Sequence, residues 1–217
     1  MRFSTVGGPK DIDIAQLVVA GWTGRDVSAV QHHIDELAEI GVKPPSKVPL
    51  FYKTSRSLLT RETEIEVVGS ATSGEVEPLL LRANGDLWLG LASDHTDREL
   101  EAYSVAASKQ ACPKPVARAL WQFSEVEGHL DELILRCCIE ENGRWVLYQE
   151  GTLARIRPLP ELLKSAELQD GGAMLCGTLG AIGGVRPATS YLMELVDEKL
   201  GRALELSYSV KTLPIVE

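Results

Sequence analysis

The stretch Glu75-Val76-Glu77-Pro78-Leu79-Leu80-Leu81, the pair Asn84-Gly85 and the run Leu87-Trp88-Leu89-Gly90-Leu91-Ala92 together spell a β-hairpin. Asn-Gly between two apolar runs suits a tight turn in which both central residues take positive φ. Residues two apart on a strand share a face, so Glu75 and Glu77 aim two carboxylates at one point. Pro78 has no N–H to give to a ladder and predicts an edge or bulged position. The second strand runs out into Ser93-Asp94-His95-Thr96-Asp97-Arg98, which delivers a third carboxylate, Asp94. Three converging carboxylates are costly to hold together without a cation, and an all-oxygen set favours Mg²⁺, Mn²⁺ or Ca²⁺ over Zn²⁺. A solvated strand face shows the same alternation, and spacing alone leaves both readings open.

Around the hairpin, 217 residues with 44% hydrophobic and 24% charged content suffice for a sizeable core. No repeat, low-complexity tract or linker divides the chain, so one domain over 1–217 is the economical expectation. A formal net charge of -9 argues against nucleic acid or an anionic membrane as partner. No apolar run is long enough to span a bilayer, and the first residues lack the apolar core of a signal peptide. A cytoplasmic location is expected. Cys112, Cys137, Cys138 and Cys176 form no CxxC pair, which predicts buried free thiols without a catalytic part. Many short apolar runs separated by Gly and Pro predict a strand-rich, turn-rich α+β fold.

Ile14 to Ala20 reads as the first strand. Asp26 is placed to cap a helix in which Val30, Ile34, Leu37 and Ile40 recur at helical spacing, with Gly41 as C-cap. His33 and Glu36 are neighbours on that helix: a base oriented by an acid, or an ordinary surface pair. Leu50 to Lys53 and Glu64 to Val68 read as short strands. Asp97 predicts the cap of one helix running through Leu100, Tyr103, Ser104 and Ala107 to Lys109, stopped by Cys112-Pro113-Lys114-Pro115. Asn142-Gly143 marks a second hairpin, Pro160 to Ala166 a short helix, and Ala173 to Cys176 a buried strand. The Gly-rich segment 177–184 is neither a P-loop nor a dinucleotide fingerprint. It can present backbone N–H groups to an anion, or simply be a set of tight turns. Tyr191 to Val196 and Ala203 to Val210 form a closing hairpin.

Taken in order, these motifs resemble the catalytic core of the fumarylacetoacetate hydrolase family, and most of all an uncharacterised bacterial branch of it. Gly24-Arg25 followed by His33-Ile34-Asp35-Glu36 is similar to the family's lid segment, which makes 26–40 a lid helix. Leu50-Phe51-Tyr52-Lys53 resembles its LFxK strand, Glu75-Val76-Glu77 its ExE metal motif, and Asp94-His95-Thr96-Asp97-Arg98 the segment bearing the third ligand. Lys109 falls where the family has a catalytic lysine. Gln149-Glu150-Gly151-Thr152 and Cys176-Gly177-Thr178 resemble its later hairpin and loop. Leu179 departs from the usual Pro, and Glu101 stands near a Gln of acylpyruvate-cleaving relatives.

The resemblance implies mixed β-sheets rolled around the site, Mg²⁺ or Mn²⁺ on Glu75, Glu77 and Asp94, and a homodimer. It implies hydrolysis or lysis of a C–C bond in a small anionic 2-oxo or 1,3-dicarbonyl acid by way of an enolate. Decarboxylation, hydration or isomerisation on the same site is the alternative, and a non-catalytic metal- or anion-binding scaffold a further one. Lys109 would meet the developing oxyanion. His33, assisted by Glu36, would activate water. Thr178 would receive the second oxyanion, with Gly177 among the loop N–H groups. Arg25, Lys53 and Arg98 are candidates for anchoring substrate carboxylate or for structural pairing.

Overall fold

The computed structural model describes residues 1–39 and 43–216, and of His33 and Leu37 only the backbone. The expected hairpin forms: Val76–Ala83 pairs antiparallel with Asp86–Ser93, Leu80 opposite Leu89. Asn84 and Gly85 turn at φ 55° and 81°. This hairpin lies inside a six-stranded mixed sheet of order Trp121–Gln122, Asp86–Ser93, Val76–Ala83, Gly172–Leu175, Gln16–Gly21, Leu50–Thr54. Only Gly172–Leu175 and Gln16–Gly21 run parallel there.

Pro78 is therefore interior, against the edge position predicted. Its neighbour strand stops pairing at Leu175 opposite Leu79, one residue before Pro78. The Pro78 carbonyl still accepts from Cys176 N at 3.1 Å. The missing N–H faces the same side, where the chain has left the sheet and no ladder partner goes unpaired.

A second sheet has the order Arg144–Thr152, Ile134–Glu141, Ser190–Asp197, Arg202–Leu213, Glu64–Val68, its last pair parallel. The six-stranded sheet is buried on both faces. Val18, Leu80, Leu89, Leu91 and Met174 meet Leu135, Cys137, Ile139, Met193 and Leu195 of the second sheet. Leu17, Val19, Leu79, Leu81 and Leu175 face the other way, onto Phe3, Ile12, Ile14 and Val116. The second sheet covers only one face, so its strands alternate buried with partly exposed residues, as in Ile134–Glu141. Cys137 is buried there, but Cys138 is only half-buried, because alternation across the bulge turns it outward.

Helices are few and short. Val27–Glu39 is capped by Asp26 Oδ1, which accepts from Ser28 N at 2.9 Å. It is largely exposed, with Ile34 buried. The expected end at Ile40 and Gly41 lies outside the described residues. The helix expected from Asp97 to Lys109 is two helices, Arg98–Glu101 and Val105–Ala111. Ser104 is extended at φ -160° and its hydroxyl accepts from Ala107 N, starting the second. Among the described residues no helix is long and apolar enough to cross a membrane. The architecture is the strand-rich α+β arrangement of mixed sheets expected.

Candidate metal centre

Strand alternation builds the site. Glu75, Glu77 and Asp94 lie on the face of the six-stranded sheet that Leu79 and Ala92 share, away from the second sheet. Their carboxylate oxygens lie within 4.8 Å of one another. Asp94 N donates to Glu75 O at 3.0 Å, which fixes the third carboxylate beside the first two. Ser93 and His95, one residue either way, point into the space between the sheets.

Three cations surround the triad. Lys109, on the helix Val105–Ala111, donates to Asp94 Oδ2. Lys114 is fully buried; its Nζ lies 3.1 Å from Asp94 Oδ1 and donates to His95 O at 2.5 Å. Asp94 Oδ1 is buried without a hydrogen bond, since Lys114 approaches it as an ion pair only. Arg98 Nη2 lies 3.2 Å from Glu75 Oε1, its Nη1 2.8 Å from Glu101 Oε2, and its Nε donates to Ser73 Oγ at 2.7 Å. Glu101 is thus charge-paired rather than facing an anion alone.

The protonation states follow. Burial would raise the Asp94 carboxyl, but the Lys109 and Lys114 ammonium groups outweigh it and hold it well below the usual range. Burial would lower Lys109, but Asp94, Glu75 and Glu77 keep it firmly charged. Glu77 differs: burial first, then the Asp94 charge, pushes its carboxyl well above 4.5. It is 2% exposed and accepts from Gly177 N at 2.6 Å, with no ion pair among the described residues. A buried carboxylate in that setting either holds a proton or meets a cation. The oxygen donors, with a buried Glu77 that makes no direct ion pair among the described residues, therefore fit a hard divalent ion.

The loop after Gly172–Leu175 closes the site. Gly177 has φ 99°, and a Cβ there would stand 1.6 Å from Thr23 Oγ1, so only glycine brings its N–H to Glu77. Thr178 Oγ1 donates to Val76 O at 2.8 Å and accepts from Gln149 Nε2 at 2.8 Å. Its proton is already committed, so in this geometry the hydroxyl cannot donate to an oxyanion. Gln149 also accepts from Val76 N at 3.0 Å, stitching the second sheet to the triad strand.

The remaining candidates separate. Tyr52 faces the site, with Lys109 Nζ 5.9 Å from its ring centroid, and its hydroxyl accepts from Trp22 Nε1 at 3.1 Å. Lys53, the next residue on that edge strand, is exposed and faces the opposite side of the sheet. Arg25 forms a two-pronged ion pair with Asp131 at 2.7 and 2.6 Å and donates to Ile156 O, a structural tie rather than an anchor. Glu36 is exposed, with His32 Nε2 3.3 Å from its carboxylate. The side chain of His33 lies outside the described residues, so the His33–Glu36 dyad is not placed.

His95 sits in a neutral hydrogen-bonded box. Its Nδ1 is 3.0 Å from Tyr208 OH and its Nε2 2.9 Å from Thr72 Oγ1, while Tyr208 OH also meets Ser93 Oγ at 2.8 Å. Burial, reinforced by Lys114 and Arg98, lowers its pKa to about 3. Lys114, Tyr52, Gln149 and the His95 box were not read as site residues from sequence. Strand parity alone would have sent His95 and Asp94 to opposite faces.

The same fold occurs in a Burkholderia cenocepacia protein described as a "putative fumarylpyruvate hydrolase" (TM-score 0.68, 17% identity, 98% of this chain and 95% of that one covered). It occurs also in a 2-keto-3-deoxy-D-arabinonate dehydratase complexed with magnesium and 2,5-dioxopentanoate (TM-score 0.65, 16% identity, 95% and 76% covered). No curated protein matches the chain in sequence. At 17% and 16% identity these likenesses show a shared fold. Residues 20–208 match the family described as Protein of unknown function (DUF2848), and the chain belongs to that family.

Proposed function

We propose that this protein is a divalent-metal-dependent enzyme acting on a small anionic 2-oxo acid, with Glu75, Glu77 and Asp94 holding Mg²⁺ or Mn²⁺. The observation that carries the reading is the meeting of three carboxylates within 4.8 Å of one another on a face where Glu77 is buried and, among the described residues, makes no direct ion pair. Bound there, the ion would supply a Lewis acid for the substrate's 2-oxo-carboxylate end. Lys109, held charged by Asp94, would stabilise negative charge as it develops on the substrate oxygen. Arg98 keeps Glu75 and Glu101 neutralised, so that neither repels an arriving anion. Tyr52, tied by Trp22, would wall the distal end of the substrate. The protein would act as a single domain and as a homodimer, with the helix Val27–Glu39 as its lid.

Two reaction branches use these groups. Hydrolysis of a C–C bond needs a base for water, the part His33 with Glu36 would take. Dehydration, isomerisation or decarboxylation can proceed without that base. The committed Thr178 proton favours this second branch, because it removes one donor that the hydrolytic route would use.

The test is calorimetric titration of oxalate, a mimic of a 2-oxo acid's enolate, with and without Mn²⁺, into wild type and Glu75→Ala. Mn²⁺-dependent binding that the variant loses supports the site, and turnover of a 2-oxo-acid panel then selects the branch. Absence of binding in both proteins would remove the case for this chemistry.

A further inference from the structure

Both oxygens of Asp94 face ammonium groups: Lys109 at Oδ2 and Lys114 at Oδ1. One lysine suffices to balance one aspartate. The second is fully buried and held from behind by the His95 carbonyl, so its charge cannot leave the site for water. Counted with every carboxylate ionised, as coordination requires, Glu75, Glu77, Asp94 and Glu101 face Arg98, Lys109 and Lys114, one negative charge in excess. A divalent cation added alone leaves one positive charge in excess in a buried site. A cation added with a chelating dianion restores the original balance. Charges in a water-poor site interact strongly, so this difference governs binding.

We propose that Lys114 is a resident counter-ion that makes divalent-cation binding depend on a co-bound anion. It holds Asp94 in place when no metal is present and weakens capture of a bare ion. It thereby couples metal binding to arrival of the anionic substrate, a positioning role acting through Asp94. The inference rests on the metal reading given above. It also accounts for a second lysine, 3.1 Å from the Asp94 oxygen that Lys109 does not hold. A lysine serving only to clamp the His95 carbonyl would leave metal affinity unmoved.

The experiment titrates Mn²⁺ by calorimetry into wild type, Lys114→Met and Lys114→Arg, with and without saturating oxalate, corrected for the Mn²⁺–oxalate complex in solution. Thermal scans in chelator and in Mn²⁺ accompany it. In wild type, oxalate tightens Mn²⁺ at least tenfold. In Lys114→Met, Mn²⁺ alone binds at least tenfold more tightly than in wild type, and the further gain from oxalate falls below threefold. Lys114→Arg, which keeps the charge, retains the wild-type coupling. The Met variant also melts lower in chelator and is raised further by Mn²⁺ than wild type. Should it fold only when Mn²⁺ is present, that too supports the proposal; failure to fold even with Mn²⁺, where Lys114→Gln fails likewise, overturns it. Mn²⁺ binding in Lys114→Met equal to or weaker than in wild type overturns this inference alone. Absence of Mn²⁺ binding in wild type, with and without oxalate, overturns the metal reading and this inference with it.

Discussion

Replacing Tyr208 with Phe removes one oxygen atom from the space between the sheets and leaves the ring. The ring stacks on Tyr191 with centroids 4.9 Å apart and planes 13° apart, and Phe preserves that packing. The hydroxyl is shared by Ser93 Oγ at 2.8 Å and His95 Nδ1 at 3.0 Å, and all three residues are buried. Without it, two polar groups lose their partner in a place water does not reach. Each unsatisfied buried group costs about 1–3 kcal/mol. The Ser93 hydroxyl can rotate, so the lower half of the summed range applies, about 2–4 kcal/mol. For a chain of this size each kcal/mol lowers Tm by roughly 2–4 °C, which gives a fall of about 4–16 °C. Differential scanning calorimetry of Tyr208→Phe against wild type measures it, with Tyr103→Phe, whose ring is 87% exposed, as an unaffected control. Adding Ser93→Ala to Tyr208→Phe should cost little more, since it deletes a group already unpaired. A fall below 2 °C with native circular dichroism would refute the reasoning, because the box would then not depend on this hydroxyl.

Gly177→Ala forces a side chain onto φ 99° and onto Thr23 Oγ1 and withdraws the N–H from Glu77; a loss of about 2–5 kcal/mol in urea unfolding is expected, with Mn²⁺ binding weakened in whatever folds. In metal-free protein Glu77 binds its proton more tightly folded than unfolded, so its contribution to stability is full below pH 4.5 and is lost as pH rises through the raised folded value. His95 acts oppositely: its contribution is full above 6.5 and is lost as pH falls toward about 3, at up to about 1.4 kcal/mol per pH unit. The two oppose one another as pH rises above 4.5, so Glu77→Gln should leave the His95 slope less offset and steepen the acid-side fall of urea midpoints relative to wild type; parallel curves would contradict this.

The hairpin and its triad were legible because both depend on local rules: a two-residue period, an Asn-Gly turn and the reach of the next few residues. Lys109 was legible only through resemblance, since no local rule folds a helix back onto Asp94. At Leu50-Phe51-Tyr52-Lys53 the motif does not tell which residue faces the site; parity opposite Val19 and Val18 decides that Tyr52 and not Lys53 faces the carboxylates. Pro78 misled because its rule concerns an unpaired N–H, and a neighbouring strand that ends one residue early meets the rule inside a sheet. Ser104 carried a readable cap signal ahead of Val105-Ala106-Ala107, masked by the apolar spacing on either side of it. Lys114 had no local signal. Its position follows from Lys114-Pro115 pairing parallel with Leu59-Thr60, a contact more than fifty residues distant in sequence.

Strand parity also divides the labour at residues 93 to 95. Asp94 goes to the face with Lys109, Lys114 and the glutamates, whereas Ser93 and His95 go to the face with Tyr208 and Thr72. One side carries charge and the other neutral hydrogen bonds, and the backbone between them is a single residue long. Had His95 titrated near its ordinary value, a positive charge would come and go behind a carboxylate on which ion binding depends. Burial and the nearby Lys114 and Arg98 keep that imidazole neutral, so the charge on the site face is set by the carboxylates and their fixed cations. Two separable classes of substitution follow from this. Changes at Ser93, His95 or Tyr208 should register chiefly in melting temperature. Changes at Glu75, Glu77, Lys109 or Lys114 should register, beside any change in stability, in how the protein binds cations and anions, and so should a substitution at Asp94, whose backbone joins the two faces.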